Sequence, residues 1–125
     1  MIYLSSPYSS EDAALRQWRF EAACKATAEM LRAGLIVWSP VVHSHPLTLY
    51  GLPSDWQFWQ SYDRAYLEAC SALAVLTLDG WRESEGVANE IKMANELGIP
   101  FWTIEPESFG IASGPENTPA EDTGV

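Results

Sequence analysis

Positive charge is scarce in this chain, with seven Lys and Arg against seventeen Asp and Glu and a formal net charge of −10. Binding a nucleic-acid polymer depends on neutralising phosphates with basic side chains, so that class of partner is excluded, while single nucleotides remain admissible. Long apolar runs are also missing. Nothing approaches the roughly 20 residues of a membrane span, and the opening Met1-Ile2-Tyr3-Leu4 lacks the basic start of a signal peptide. A cytoplasmic protein with no membrane partner is expected. Cysteine is limited to Cys24 and Cys70, both within helical patterns among alanines, where buried free thiols are the ordinary outcome in a reducing compartment. No internal repeat is visible, and no cofactor is expected.

What the chain does have is tryptophan, six in 125 residues, several of them on one segment. That exceeds what a small core needs and predicts a homo-oligomer with a buried partner surface. The length suits one domain. Apolar runs near residues 2–5, 35–39, 73–78 and 99–104 read as strands, separated by helical patterns. The first helix begins near Ser9 or Ser10, where Ser9 and Asp12 have capping-box spacing, and runs to Ala33 before Gly34. The second is opened by Ser54-Asp55-Trp56-Gln57 and reaches about Cys70, carrying Trp56, Phe58, Trp59, Tyr62 and Tyr66. The third runs from Ser84 to Leu97, stopped by Gly98. Between Val41 and Pro53 the prolines indicate an irregular loop. The repeated β-α-β order predicts a three-layer α/β/α, Rossmann-like (flavodoxin-like) fold with a parallel sheet in strand order 2-1-3-4. The domain covers residues 1–105. Residues 106–125 form an acidic tail, either mobile or ordered only by a neighbouring subunit.

In such a sheet ligands bind beyond the C-terminal strand ends, at the switch point, which here lies between strands one and three. Strand one delivers Tyr3, Ser5, Ser6 and Tyr8 to that edge, and strand three delivers Asp79 and the turn before Ser84. Ser84 caps the following helix, and with Gly86 beside it the exposed N–H groups can receive an anion; a plain cap is the simpler alternative. Glu90 lies at the margin of the stripe formed by Val87, Ile91 and Ala94, which predicts a half-buried carboxylate facing the cleft. Its bland alternative is a surface residue paired with Arg64, Arg82 or Lys92. Asp63 can supply the second carboxylate that glycosidic-bond chemistry uses. Trp59 and Tyr66, on the same side of that helix, offer flat surfaces for a base. His43 and His45 line the pocket as hydrogen-bonding or acid–base groups.

The run Ser84-x-Gly86-Val87-x-x-Glu90, continued by Ile91, Ala94, Gly98 and Pro100, resembles the signature of the nucleoside 2-deoxyribosyltransferase superfamily, which includes the 2'-deoxynucleoside 5'-phosphate N-hydrolases. Tyr3-Leu4 and the position of Asp63 fit as well. The wider pattern SSPYS, WSPVVHSHPL, LPSDWQFWQSYD and GWRESEGVANEI is similar to an uncharacterised bacterial and phage domain family placed in that superfamily, and the resemblance covers residues 1 to about 104. It implies that Glu90 attacks the anomeric carbon of a deoxyribonucleoside and expels the base. Water or a second base then resolves the glycosyl-enzyme, with Asp63 assisting at the base or the sugar. Ser84, where the transferases commonly carry Asp, leans towards the nucleotide hydrolases. The substrate implied is a nucleoside or nucleoside 5'-monophosphate. Two other readings stay open: a metal-dependent hydrolase using the His43-x-His45 loop, for which no complete ligand set is identified, and a nucleotide-binding module without catalysis.

Overall fold

The computed structural model describes residues 1–112. Four strands, β1 (Ile2–Ser5), β2 (Val37–Trp38), β3 (Ala72–Leu76) and β4 (Phe101–Ile104), form an all-parallel sheet in the order β2-β1-β3-β4. Helices α1 (Ala13–Arg32), α2 (Pro40–Thr48), α3 (Trp56–Glu68) and α4 (Glu85–Leu97) connect them. The expected three-layer α/β/α arrangement and strand order are those observed.

Alternation along the strands sorts the core into two layers. Tyr3, Leu73 and Val75 pack with Leu67, Val87 and Ala94 of α3 and α4. Leu4, Ala74 and Leu76 point the other way, onto Ala22, Ala26 and Met30 of α1. All five residues of β3 are buried, as a central strand covered on both faces requires, whereas β4 is largely exposed at the sheet edge. Ser5 shares Tyr3's side of the sheet, and that parity brings both hydroxyls to α4.

Several element boundaries differ from the sequence reading. Helix α1 starts later because Asp12 is its cap, accepting from the Ala14 N–H at 2.9 Å, while the Ser9 hydroxyl reaches across to the Ser54 carbonyl at 2.9 Å. Asp55, rather than Ser54, caps α3 through the Phe58 N–H at 3.1 Å. The segment expected to be a loop contains α2. Ser39 caps it through the Val42 N–H at 3.1 Å, and Pro40 opens the helix, where a missing N–H costs nothing. Pro46 lies inside the helix only two residues from its end, so few bonds depend on it. Ser84 caps α4 and Gly98, at φ 72°, ends it, as expected.

After β4, Pro106–Phe109 makes a 3-10 turn and Ile111 is buried in the α1-side core. This start of the acidic tail is packed against the chain's own core; the remainder, 113–125, lies outside the described residues. Among those described, no helix is long and apolar enough to cross a membrane. Five of the six tryptophans are occupied within the chain: Trp18, Trp38, Trp56 and Trp81 pack against the core clusters and Trp59 is buried, leaving Trp102 43% exposed.

Candidate active site

A cavity of about 440 Å³ opens at the C-terminal ends of β1 and β3. The loop after β1 supplies Ser6 and Tyr8, the turn after β3 supplies Gly80, Glu83 and Ser84, and α4 supplies Gly86 and Glu90. Trp56, Trp59 and Asp63 of α3, Ser44 of α2 and Arg19 of α1 complete the wall. This is the switch point at which strand order reverses, where the flanking loops diverge and leave a crevice.

Glu90 is 3% exposed, deeper than its place at the margin of the apolar stripe predicted. The Tyr3 hydroxyl donates to Glu90 Oε2, and Ser5 Oγ donates to Oε1 at 2.5 Å. Burial pushes the Glu90 carboxyl up to about 8; the hydrogen bonds from Ser5 and Tyr3 oppose that rise and the nearby Asp63 adds to it. Surface pairing does not apply. Arg64 lies against Glu68 and Glu96, at 3.4 and 3.6 Å, and Arg82 lies over the Trp81 ring. Asp63 is 6% exposed, and burial alone raises its carboxyl to about 7. Its Oδ1, together with Ser6 Oγ and Ser44 Oγ, is buried at the cavity wall without a hydrogen-bond partner among the described residues. Three such groups around one crevice call for polar partners, from ordered water or from a bound molecule, since leaving them unpaired costs about 1–3 kcal/mol each.

Because Tyr3 favours the charged form of Glu90, Tyr3→Phe is expected to raise the Glu90 pKa further, by about one pH unit for the loss of a hydrogen bond to a charged group. Carboxyl-resolved NMR titration checks this; an unchanged or lower value would contradict the coupling.

Over residues 1–105 the chain matches a family described as a domain of unknown function, DUF1937. The chain belongs to that family. No curated protein matches it.

The remaining residues singled out from the sequence of this DUF1937 domain divide between the cavity and its surroundings. Trp59 is on the wall, its indole N–H held by the Pro53 carbonyl at 2.8 Å. Tyr66 is not: it stacks on Trp38 at 3.9 Å with the rings parallel to within 3°, and Trp56 provides the second indole at the wall. Ser84 reaches the wall, but its Oγ accepts from the Val87 N–H at 3.2 Å and serves as a cap. Gly86 lies beside it; a Cβ there would meet Trp56 at an ordinary 3.8 Å. Asp79 stands outside the cavity, on a neighbouring groove with Thr77 and Glu105.

Neither histidine reaches the cavity wall. His45 lies behind Tyr8, whose hydroxyl donates to Nδ1 at 2.7 Å when the Nε2 proton is given to Gln17 Oε1 at 3.0 Å. Its ring stacks on Phe20 at 4.3 Å, and burial, with Arg16 nearby, pushes its pKa down. The neutral ring thus positions Tyr8. His43 turns elsewhere, with Nε2 3.1 Å from the Tyr62 hydroxyl. Two residues apart on a helix, the imidazoles diverge by about 200° and cannot close on one metal ion. Among the described residues, no group of three or more His, Cys, Asp or Glu is placed to hold one.

Sequence reasoning did not assign Arg19, Ser44 or Trp56 to the site. Arg19 occupies a mid-helix position between Trp18 and Phe20 with no motif around it. Yet it is 7% exposed and donates to the carbonyls of Ser9 and Asp79, both at 3.2 Å, tying the loop after β1 to the turn after β3. Ser44 lies in the segment whose prolines indicate a loop. Only the aromatic density of α3 could have flagged Trp56.

Proposed function

We propose that this domain cleaves the N-glycosidic bond of a nucleoside or nucleotide, or transfers its sugar, with Glu90 as nucleophile and Asp63 as the acid at the departing base. The observation that carries this reading is the buried Glu90 carboxyl, held by Tyr3 and Ser5, in a cavity where Asp63 presents a carboxyl oxygen with no partner among the described residues. The resemblance of the Ser84-to-Glu90 run to the deoxyribosyltransferase superfamily supports it. Glu90 Oε forms a bond to the anomeric carbon as the carbon–nitrogen bond breaks, and the electron pair leaves with the base while Asp63 gives up its proton to it. A water molecule then attacks the same carbon, Glu90 departs as carboxylate, and the water's proton returns to Asp63. Trp56 and Trp59 offer faces for the base, and the Ser6 and Ser44 hydroxyls can bond sugar oxygens. The expected homo-oligomer would use the exposed apolar surface at Leu49, Tyr50 and Phe58, 76%, 85% and 48% exposed.

Free-base release from a panel of nucleosides and 5'-monophosphates is the test. The reactive form needs Glu90 ionised, favoured as pH rises towards about 8, and Asp63 protonated, favoured below about 7. A bell-shaped kcat/KM profile with its maximum between those values is therefore expected, with apparent pKa values belonging to the pair. Ligand binding without base release would favour the non-catalytic module, and chelator-sensitive release would favour the metal enzyme.

A further inference from the structure

Among the described residues, five that bear carboxyls line the cavity, Asp55, Asp63, Glu83, Glu85 and Glu90, against one cation, Arg19. Arg19 directs guanidinium donors to the backbone carbonyls of Tyr8, Ser9 and Asp79, at 3.5, 3.2 and 3.2 Å. The Ser84 hydroxyl is committed to the Val87 N–H, and Glu83 and Glu85 flank it at the N-terminus of α4. A phosphate group there would bring further negative charge beside two exposed carboxylates, which disfavours it. A cation would meet the opposite situation, with the indoles of Trp56 and Trp59 on the same wall. An acidic lining alone would not identify a ligand. The buried Asp63 Oδ1, Ser6 Oγ and Ser44 Oγ, all without partners among the described residues at the same wall, do point to one.

We infer that the cavity selects an unphosphorylated nucleoside whose base carries a fixed positive charge, the class of N-ribosylpyridinium and N7-alkylated purine nucleosides. The inference rests on the N-glycosidase reading for its chemistry and on the charge of the lining for its selectivity. With such a base the carbon–nitrogen electron pair moves onto the ring nitrogen and cancels its charge, so the base leaves neutral and needs no proton. Glu90 forms the ester to the anomeric carbon. Water then displaces Glu90, and the proton released passes to the Asp63 carboxylate and on to solvent. The products are the free sugar, the neutral base and one proton.

The binding arm of the test compares 1-methylnicotinamide with nicotinamide, alike in shape and different in charge, by calorimetry on the full chain. The cation is expected to bind about tenfold more tightly, a difference of about 1.4 kcal/mol. The preference should shrink as salt rises from about 0.05 to about 0.5 M. Glu83→Gln combined with Glu85→Gln should narrow it as well. Equal affinity, or tighter binding of nicotinamide, would overturn the inference. The turnover arm compares nicotinamide riboside with nicotinamide mononucleotide and with inosine. The riboside should exceed both in kcat/KM by at least about tenfold, the scale set by one such unfavourable charge contact. Faster release from the mononucleotide or from inosine defeats the inference and leaves the glycosidase reading intact. Preferential cation binding with no release from any of the three, nor from the 2'-deoxynucleosides and their 5'-monophosphates in the panel above, defeats the glycosidase reading and leaves the charge selectivity standing.

Discussion

Glu90→Gln is expected to lower base release by about 10⁴-fold or more, the scale of losing a nucleophile, while ligand binding survives and stability at pH 8 rises. The amide keeps the size of the carboxyl and can still accept from Tyr3 or Ser5, so the cavity retains its shape. The stability gain follows from linkage. Unfolded, Glu90 titrates near 4.5, and folded near 8, so between those values the native protein holds a proton that the unfolded chain has released. Stability then falls as pH rises through that window and is level on either side of it. Asp63 acts in the same direction between 3.8 and about 7. At pH 8 the Glu90 contribution amounts to a few kcal/mol, which glutamine removes because it does not titrate. Melting curves at pH 5 and pH 8 should show the wild-type protein losing stability with pH and the variant losing less. A variant that melts lower than wild type at pH 8, or that keeps its activity, would count against Glu90 as a buried, ionisable nucleophile.

Asp63→Asn separates proton donation from binding. If Asp63 protonates the departing base, kcat/KM for a neutral nucleoside should drop by about 10²–10⁴-fold, and the fall in rate on the alkaline side of the maximum should disappear with the group that causes it. A nucleoside with a permanently cationic base needs no proton at departure, so its kcat/KM should change by less than about tenfold. Comparable losses for both substrates would assign Asp63 to the sugar or to cavity shape instead. Should base release be absent from the wild-type protein, the buried carboxyls still predict the pH dependence of stability, which is independent of any reaction.

The elements that read best from the sequence are those whose signals are local. The β3 run Ala72–Leu76 is apolar throughout because both of its faces are covered, and Ser84 with Gly98 brackets α4 through capping chemistry confined to a few residues. The prolines of α2 misled because their effect depends on position: Pro40 opens a helix that Pro46, near its end, does not break. His43 and His45 look paired in sequence, and only their places on a helix turn one towards Tyr62 and the other towards Tyr8.

By itself, then, the sequence determined the β-α-β order, the parallel sheet, the edge at which the cavity opens, and Glu90 and Asp63 as the carboxyls on the helices facing it. Periodicity and turn chemistry act over a few residues and suffice for that. The tertiary structure alone decided that Glu90 is fully buried under two hydroxyls, that Arg19 clasps the two site loops, and that Ser6, Ser44 and Asp63 turn unpartnered atoms to one cavity. The reason is separation along the chain: Tyr3 and Ser5 meet Glu90 across 87 and 85 residues, and Arg19 meets Asp79 across 60. The solvation and charge state of a carboxyl depend on such distant neighbours, which local pattern does not encode.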